Sequence, residues 1–299
     1  MISVLALALL ATLTPLHARV PGINLGLTNI LDGGPLRPKP GFYWQEFLQG
    51  YQSNELFDAC GEEIPNSPAI NRWALASQLF YQFERQGFLG ASPGIGFSLP
   101  VALSSTISCN RLGLSDSGSG FGDLSLGVYS QWPMIFRNDR PLFVHRLAFN
   151  ASVPIGKFRR GFTSNPGNGF YFINPYWAAT FFYSKRLASS WRLEYLWCAE
   201  NPKTCLQFGQ SIFLNFDFTF QMRRKFWFGL VGYFLQQITD DRLRDVPVPD
   251  SKVRVLGLGP GGVYFAPHEF YIFTYFYFET LSRNYPQGFK FVFRFLKHF

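Results

Sequence analysis

The stretch Gly288-Phe-Lys-Phe-Val-Phe-Arg-Phe-Leu-Lys-His-Phe299 ends the chain. Phenylalanine occupies every second position from Phe289 to Phe295, and basic or aliphatic residues lie between. Successive side chains of a β-strand point to opposite faces, so a period of two predicts a strand. One face of this strand is strongly apolar and the other is mixed. The apolar face therefore meets lipid or a protein core, and not water.

An apolar row that ends in an aromatic residue is typical of the closing strand of bacterial outer-membrane β-barrels. Their last strand pairs with the first strand, and the barrel assembly machinery reads its final aromatic residue. Phe299 is the candidate for this C-terminal assembly signal. A buried strand of a soluble β-sandwich is the alternative, and the rest of the chain decides between the two.

The composition favours a membrane protein that crosses with strands. Aromatic residues make up 19% of the 299 residues and charged residues 15%, against about 25% charged in soluble domains. The mean hydropathy is nevertheless only +0.02. Alternation of apolar and polar residues produces this combination, whereas membrane helices need long apolar runs. Past the N-terminal segment no such run occurs.

Three segments are expected along the chain. Residues 1–18 form an apolar run that ends at Ala18, which predicts a signal peptide cleaved before Arg19. The run lacks Lys and Arg, and a short anchor helix is the alternative. Residues 19–41 are rich in Gly and Pro and are interpreted as a periplasmic tail or a plug, with the tail preferred. Residues 42–299 form the barrel.

Twelve strands are predicted from the alternation. The clearest runs from Phe208 to Gln221, where Phe, Ile and Leu alternate with Ser, Asn, Asp, Thr and Gln. The segment 170–184 is aromatic on both faces, so its orientation stays open. Short and long connections alternate, with the long ones mostly after the odd strands, which is typical of single-chain bacterial barrels. The predicted strands lie near 42–52, 72–84, 88–103, 123–132, 143–153, 170–184, 191–197, 207–221, 225–237, 252–265, 269–279 and 288–299.

A sheet inside a membrane has to close on itself. Hydrocarbon offers no partner for backbone polar groups, so an open edge would leave a row of them bare. The fold class is therefore all-β, a transmembrane antiparallel outer-membrane β-barrel. Twelve strands enclose more space than the roughly eight-stranded barrels whose interior side chains can fill. Some lumen is expected, open or partly plugged.

Four motifs, in order along the chain, carry a family resemblance. They are Ser119-Gly-Phe-Gly-Asp-Leu-Ser-Leu-Gly127, Val153-Pro-Ile-Gly156, Tyr233-Phe-Leu-Gln-Gln-Ile-Thr-Asp-Asp241 and Val255-Leu-Gly-Leu-Gly-Pro260. From about residue 40 onward the chain resembles the outer-membrane family called meta-pathway of phenol degradation, or SphA-like. The resemblance implies an outer-membrane barrel associated with uptake of aromatic or other hydrophobic compounds.

No residue pattern indicates an enzyme. His145 lies two residues from both Phe143 and Leu147, so the His and Ser pair of twelve-stranded outer-membrane phospholipases is absent. The glycine runs lack the Gly-Lys-Ser/Thr ending of a phosphate-binding loop. Asp240 and Asp241 belong to an acidic loop in which neighbouring Arg residues neutralise the charge, so no metal site is expected there. We predict no catalytic residue, no metal and no cofactor.

The formal net charge of +8 lies outside the first 18 residues. The basic residues are scattered, and an exported chain does not meet nucleic acid. We expect the partners to be outer-membrane lipid and lipopolysaccharide, the barrel assembly machinery and a small-molecule solute.

The predicted function is passive uptake through an outer-membrane channel. A non-conducting structural or adhesive barrel at the cell surface is the alternative. Polar residues on the inward parity are candidates to line the pore, and the two basic residues of the last strand are expected to meet Glu194, Asp217 or water. The pore-lining candidates are Arg72, Arg192, Glu194, Asn215, Asp217, Lys290 and Arg294.

The four cysteines lie in or beside predicted outer loops and allow three pairings. Cys198 and Cys205 flank one connection between adjacent strands, which predicts a bridge between them. Cys60 and Cys109 would then pair and tie the first outer loop to the second. A zinc site is the alternative, but the spacing lacks the close couples that zinc needs.

Overall fold

The computed structural model describes residues 24–34, 39–84, 87–108 and 112–299. The predicted signal peptide, residues 19–23 and Cys109 lie outside these ranges. No helix in the described ranges is long and apolar enough to cross a membrane.

Twelve long antiparallel strands form a closed barrel, as the sequence predicts. The segment 170–184, like the others, contributes one strand of the wall. The strands are β1 Gly41–Leu56, β2 Ala69–Gln82, β3 Ser92–Ser108, β4 Leu124–Gln131, β5 Arg140–Val153, β6 Phe172–Phe182, β7 Leu187–Cys198, β8 Ser211–Arg223, β9 Phe226–Gln237, β10 Arg254–Ala266, β11 Phe270–Arg283 and β12 Pro286–His298.

The barrel closes between its first and last strands. Strand β1 pairs with β2 on one side and with β12 on the other, from Tyr43 opposite His298 to Leu56 opposite Pro286. Each strand from β2 to β11 pairs with its two neighbours in sequence. The pairing of β3 with β4 ends at Ser98 opposite Ser125. Farther along β3, Val101 and Ala102 pair with the two-residue strand Gly120–Phe121. Closure leaves the wall with no free sheet edge at β1 or β12.

The two faces of the wall differ in chemistry because side chains alternate along each strand. In β8, Phe218 is 52% exposed on the outer surface, whereas its neighbour Asp217 is 3% exposed on the inner side. Strand β6, which could not be oriented from sequence, turns Asn174 and Thr180 inward and Trp177 outward. The outer wall is therefore an apolar, aromatic surface suited to lipid.

The connections follow the expected asymmetry with one exception. Strands β8 and β9 are joined by two residues, 224–225, and β10 and β11 by three, 267–269. At the other end, the connection 238–253 contains two short strands that pair in a small sheet with Leu206–Gln207. The connection 284–285 is shorter than predicted, because β11 and β12 continue farther toward the outer end than their sequence pattern suggests.

The barrel interior has a packed side and an open side. On strands β8 to β12 buried apolar and aromatic side chains fill the interior, among them Phe213, Tyr233, Tyr275 and Tyr277. Residues 24–34 pack against this side, and Leu25 and Ile30 are buried there. We call residues 24–34 the plug segment. A tail is the preferred prediction for residues 19–41, whereas residues 24–34 lie inside the barrel.

Candidate solute pathway in the barrel lumen

The plug segment is held by hydrogen bonds that its backbone makes with side chains of the wall. Asn215 on β8 accepts from the Gly26 amide at 2.9 Å and donates to the Asn24 carbonyl at 2.6 Å. Tyr277 on β11 donates to the Gly26 carbonyl, and Lys290 on β12 donates to the Leu25 carbonyl, both at 2.8 Å. The polar inward positions of three strands thus satisfy the backbone of a segment that has no strand partner of its own.

An ion pair fixes the other end of the plug segment. Arg192 on β7 donates from Nε to Asp32 Oδ2 at 2.6 Å and from Nη2 to Asp32 Oδ1 at 2.8 Å. Both side chains are almost fully buried. The Arg192 guanidinium also lies 4.0 Å from the centre of the Tyr176 ring, and its Nε lies 3.9 Å from Glu194 Oε1. A two-point pair of this kind fixes position and orientation together.

The plug segment lies against the backbone of the wall at Gly33. Its amide donates to Thr180 Oγ1 at 3.0 Å, and its carbonyl accepts from Gln131 Nε2 at 3.0 Å. A Cβ at this position would lie 2.4 Å from both the Thr180 amide nitrogen and the Val144 carbonyl oxygen. Only a residue without a side chain can approach the strand backbone this closely.

A cavity of about 420 Å³ lies beside the plug segment, on the open side of the interior. Aromatic side chains contribute part of its wall, including Phe47, Tyr51, Tyr129 and Tyr176. Asn24, Leu25, Thr28 and Asp32 of the plug segment also line it. The plug segment is therefore one wall of the space that a solute would enter.

All seven candidate pore-lining residues lie on the inner face of the wall, as their parity requires. Arg72, Arg192, Lys290 and Arg294 line the cavity. The other three are buried on the inner face outside its lining, where Asn215 contacts the plug segment and Asp217 accepts from Thr219 Oγ1 at 3.0 Å.

The observed partners of the two basic residues on the last strand differ from the predicted carboxylates. Lys290 donates to a plug carbonyl, and Arg294 donates from Nε to Gln45 Oε1 at 2.6 Å. Neither forms a salt bridge with Glu194 or Asp217. The plug segment and an inward amide of β1 take these places because they are closer to the two cations than the carboxylates are.

Two residues of the site, Arg146 and Asp32, are not among the residues predicted from the sequence. Arg146 lines the cavity from β5, and its inward parity could have identified it. Asp32 lies in a segment rich in Gly and Pro, where no periodicity indicates a direction for any side chain. A lone acidic residue in such a segment gives no signal until the fold brings Arg192 to it.

The predicted disulfide between Cys198 and Cys205 is not formed. Cys60, Cys198 and Cys205 are free thiols, and Cys109 lies outside the described residues. Cys198 ends β7 with its side chain buried. The Cys205 amide closes a tight turn on the Asn201 carbonyl at 2.8 Å. This turn lies in the connection 199–210, past the end of β7. The Cys198 and Cys205 thiols therefore do not form a bond, although the two residues are close in sequence.

His145 and Asp241 have structural partners. The His145 ring stacks on Trp132 with centroids 4.4 Å apart, and Trp177 Nε1 donates to His145 Nδ1 at 3.4 Å. Asp241, in the outer connection after β9, accepts from the Gly209 amide and from Gln237 Nε2, both at 2.8 Å. Burial raises the pKa of Asp241 to about 6. Within the described ranges no three His, Cys, Asp or Glu side chains are grouped to hold a metal ion.

Phe299 is 70% exposed beside β1, and its amide donates to the Phe42 carbonyl at 2.9 Å. The backbone of this residue thus extends the pairing that closes the barrel, while its ring stays accessible.

A closed antiparallel barrel with an aromatic outer wall, inward polar residues and a partly plugged lumen defines a transmembrane β-barrel of the bacterial outer membrane. The chain belongs to the family described as MetA-pathway of phenol degradation, which matches residues 53–295.

Solved structures share this fold. An outer membrane channel from Pseudomonas putida F1 has a TM-score of 0.77 at 12% identity, covering 90% of this chain and 100% of that one. The CymD monoaromatic hydrocarbon channel has a TM-score of 0.47 at 7% identity, covering 88% and 89%. The KdgM porin has a TM-score of 0.42 at 9% identity, covering 86% and 99%. The last two likenesses are too weak to bear on function. No curated protein matches the chain in sequence.

Proposed function

We propose that this protein is an outer-membrane channel for passive uptake of small solutes, with residues 24–34 as a plug that narrows the lumen. The observation that carries the proposal is the cavity of about 420 Å³ inside a closed barrel, with the plug segment as one of its walls. Every described contact that holds this segment is a hydrogen bond, an ion pair or an apolar contact. Such contacts can break and form again, so the segment can leave its position without the cleavage of a covalent bond.

The lining favours small solutes with an aromatic or otherwise apolar body. Ligand sites of about 300–1,000 Å³ hold molecules of drug size or smaller. Tyr129 and Tyr176 offer ring faces, and inward polar groups fix orientation. The family description refers to phenol degradation, and the similar barrel from Pseudomonas putida F1 is named a channel. The first agrees with small aromatic compounds as solutes, and the second agrees with passage through the barrel.

A barrel that conducts nothing is the second candidate, and the seated plug favours it. The interior on strands β8 to β12 is packed, and the plug segment covers part of the remainder. A structural barrel would keep this arrangement permanently. The two candidates differ in whether the plug segment leaves its seat.

Two contacts outside the lumen complete the proposal. The basic residues of the outer connections would meet anionic groups of lipopolysaccharide, and the barrel assembly machinery would read Phe299, whose ring is exposed. Outer-membrane yield of Phe299→Ala, compared with refolding yield of the same variant in detergent, would separate an assembly role from a stability role.

The test is conductance and flux of the refolded protein. In planar bilayers we expect discrete current steps, and in proteoliposomes we expect swelling with phenol-sized solutes and none with solutes much larger than the cavity. The Asp32→Ala variant, which removes the ion pair of the plug, serves as a second sample. Absence of current and swelling in both proteins would support the non-conducting barrel.

A further inference from the structure

The wall of the lumen cavity carries an excess of positive charge. Five basic side chains line it, whereas Asp32 is the one carboxylate among the described lining residues. Both Asp32 oxygens accept from Arg192, so this carboxylate is already occupied. The basic residues of the lining are Arg72, Arg146, Arg192, Lys290 and Arg294.

The other carboxylates of the interior do not face the cavity. Glu279 accepts from the hydroxyls of Tyr51 and Tyr233 at 2.8 and 2.6 Å, and it is not part of the lining. Glu194 and Asp217 are likewise buried on the inner face outside the lining. A solute in the cavity would therefore contact the basic side chains of the lining. Other side chains would separate it from Glu194, Asp217 and Glu279.

Two of the cavity cations have donors with no hydrogen-bond partner in the part of the chain that the structure describes. Arg294 is 6% exposed, and its Nη1 has none, although its Nε donates to Gln45. On β2, Arg72 Nε is also buried without a hydrogen-bond partner among the described residues. A buried donor without an acceptor costs free energy, so both guanidinium groups keep hydrogen-bonding capacity that the described side chains do not use.

Aromatic rings accompany these cations. The Arg294 guanidinium lies 4.3 Å from the centre of the Phe273 ring and 5.6 Å from that of Phe47. Arg146 lies 4.9 Å from the centre of the Tyr129 ring. The cavity thus combines fixed guanidinium groups with aromatic faces.

We infer that the cavity binds small organic anions, with the carboxylate directed at one of the guanidinium groups of its lining and an aromatic or apolar body against the neighbouring rings. This inference rests on the proposed function and names the class of its solute. Guanidinium groups match carboxylates in charge and planar geometry. An uncharged aromatic molecule would contact the rings but leave the excess positive charge uncompensated, and an inorganic anion would leave the rings uncovered.

The experiment compares benzoate with benzamide, which has the same size and no charge, by titration calorimetry of the full protein in detergent. We expect benzoate to bind roughly tenfold more tightly than benzamide, the lower end for a hydrogen bond to a charged group. Arg294→Gln or Arg72→Gln, whichever removes the guanidinium that the carboxylate contacts, should weaken benzoate binding by roughly tenfold and leave benzamide binding unchanged. Arg186→Gln, in the exposed connection after β6, removes the same charge away from the cavity and should change neither.

Equal binding of benzoate and benzamide by the wild-type protein would overturn the inference, as would unchanged benzoate binding in both cavity variants. Heat-modified mobility in electrophoresis shows that each variant is folded, and Arg72, which is only half-buried, gives a result if the Arg294 variant does not fold. Binding in detergent needs no conduction. Benzoate binding without any current would therefore refute the channel and keep the anion site, whereas current with no preference for benzoate would do the reverse.

Discussion

Replacement of Asp32 by alanine should release the plug segment. Asp32 makes both hydrogen bonds of the buried pair with Arg192 and also accepts from Thr28 Oγ1 at 3.1 Å. Removal of one partner from a buried pair costs about 3–5 kcal/mol, because the remaining charge is left without compensation. Here Arg192 keeps the Tyr176 ring at 4.0 Å and Glu194 at 3.9 Å. We therefore expect the lower end, about 3 kcal/mol.

This free energy acts on the balance between the seated and the unseated plug. When the segment leaves its seat, Asp32 and Arg192 both reach water, so the wild-type pair favours the seated state. A loss of about 3 kcal/mol shifts that equilibrium by a factor on the order of 100. A channel that is rarely open would then be open for a measurable fraction of the time.

The assay is the open probability of single channels in planar bilayers, with Glu62→Ala as the matched control. Glu62 is exposed in the outer connection after β1, and its loss changes the net charge by the same amount. Asp32→Ala should raise the open probability strongly, and Glu62→Ala should leave it at the wild-type level. An open probability that is the same in all three proteins would refute the view that this pair holds a movable plug.

Three further outcomes are expected. Gly33→Ala should displace the plug segment, because the new Cβ would meet strand backbone at 2.4 Å; an open probability equal to wild type would contradict this. Phe218→Arg, on the outer face at the middle of β8, should lower the unfolding free energy by about 2–4 kcal/mol, whereas Met222→Arg, on the same face near the strand end, should cost about 0–1 kcal/mol; equal costs in denaturant titrations would contradict the assigned depths. Because burial raises the pKa of Asp241 to about 6, the folded outer connection keeps a proton that the unfolded chain releases near pH 4, so its stability should fall by up to about 3 kcal/mol as the pH rises through that window. Hydrogen exchange of residues 238–253 should follow this pH dependence in the wild type and lose it in Asp241→Asn.

The barrel itself was predictable from sequence because the constraints on each strand are local and recur along the chain. A strand between lipid and lumen needs alternation, and hydrocarbon forbids unpaired backbone, so strand number, closure and face followed from parity. The inward direction of Arg192, Asn215 and Arg294 came from the same rule. The orientation of strand β6 could not be predicted from parity because both of its faces are rich in aromatic residues. Its register with β5 and β7 decides the orientation.

The interior depended on contacts between positions far apart in the chain. Asp32 meets Arg192, Gly26 meets Asn215, and Lys290 meets Leu25, and no local pattern joins these residues. The predicted bridge between Cys198 and Cys205 failed for a related reason, since closeness in sequence does not set the direction of a buried side chain. The sequence by itself determined a twelve-stranded membrane barrel, because alternation and backbone pairing constrain each strand separately. Only the tertiary structure decided that a plug segment fills one side of the lumen and that the cations of the last strand and of β2 face an open cavity, because those outcomes depend on which side chains the closed wall brings together.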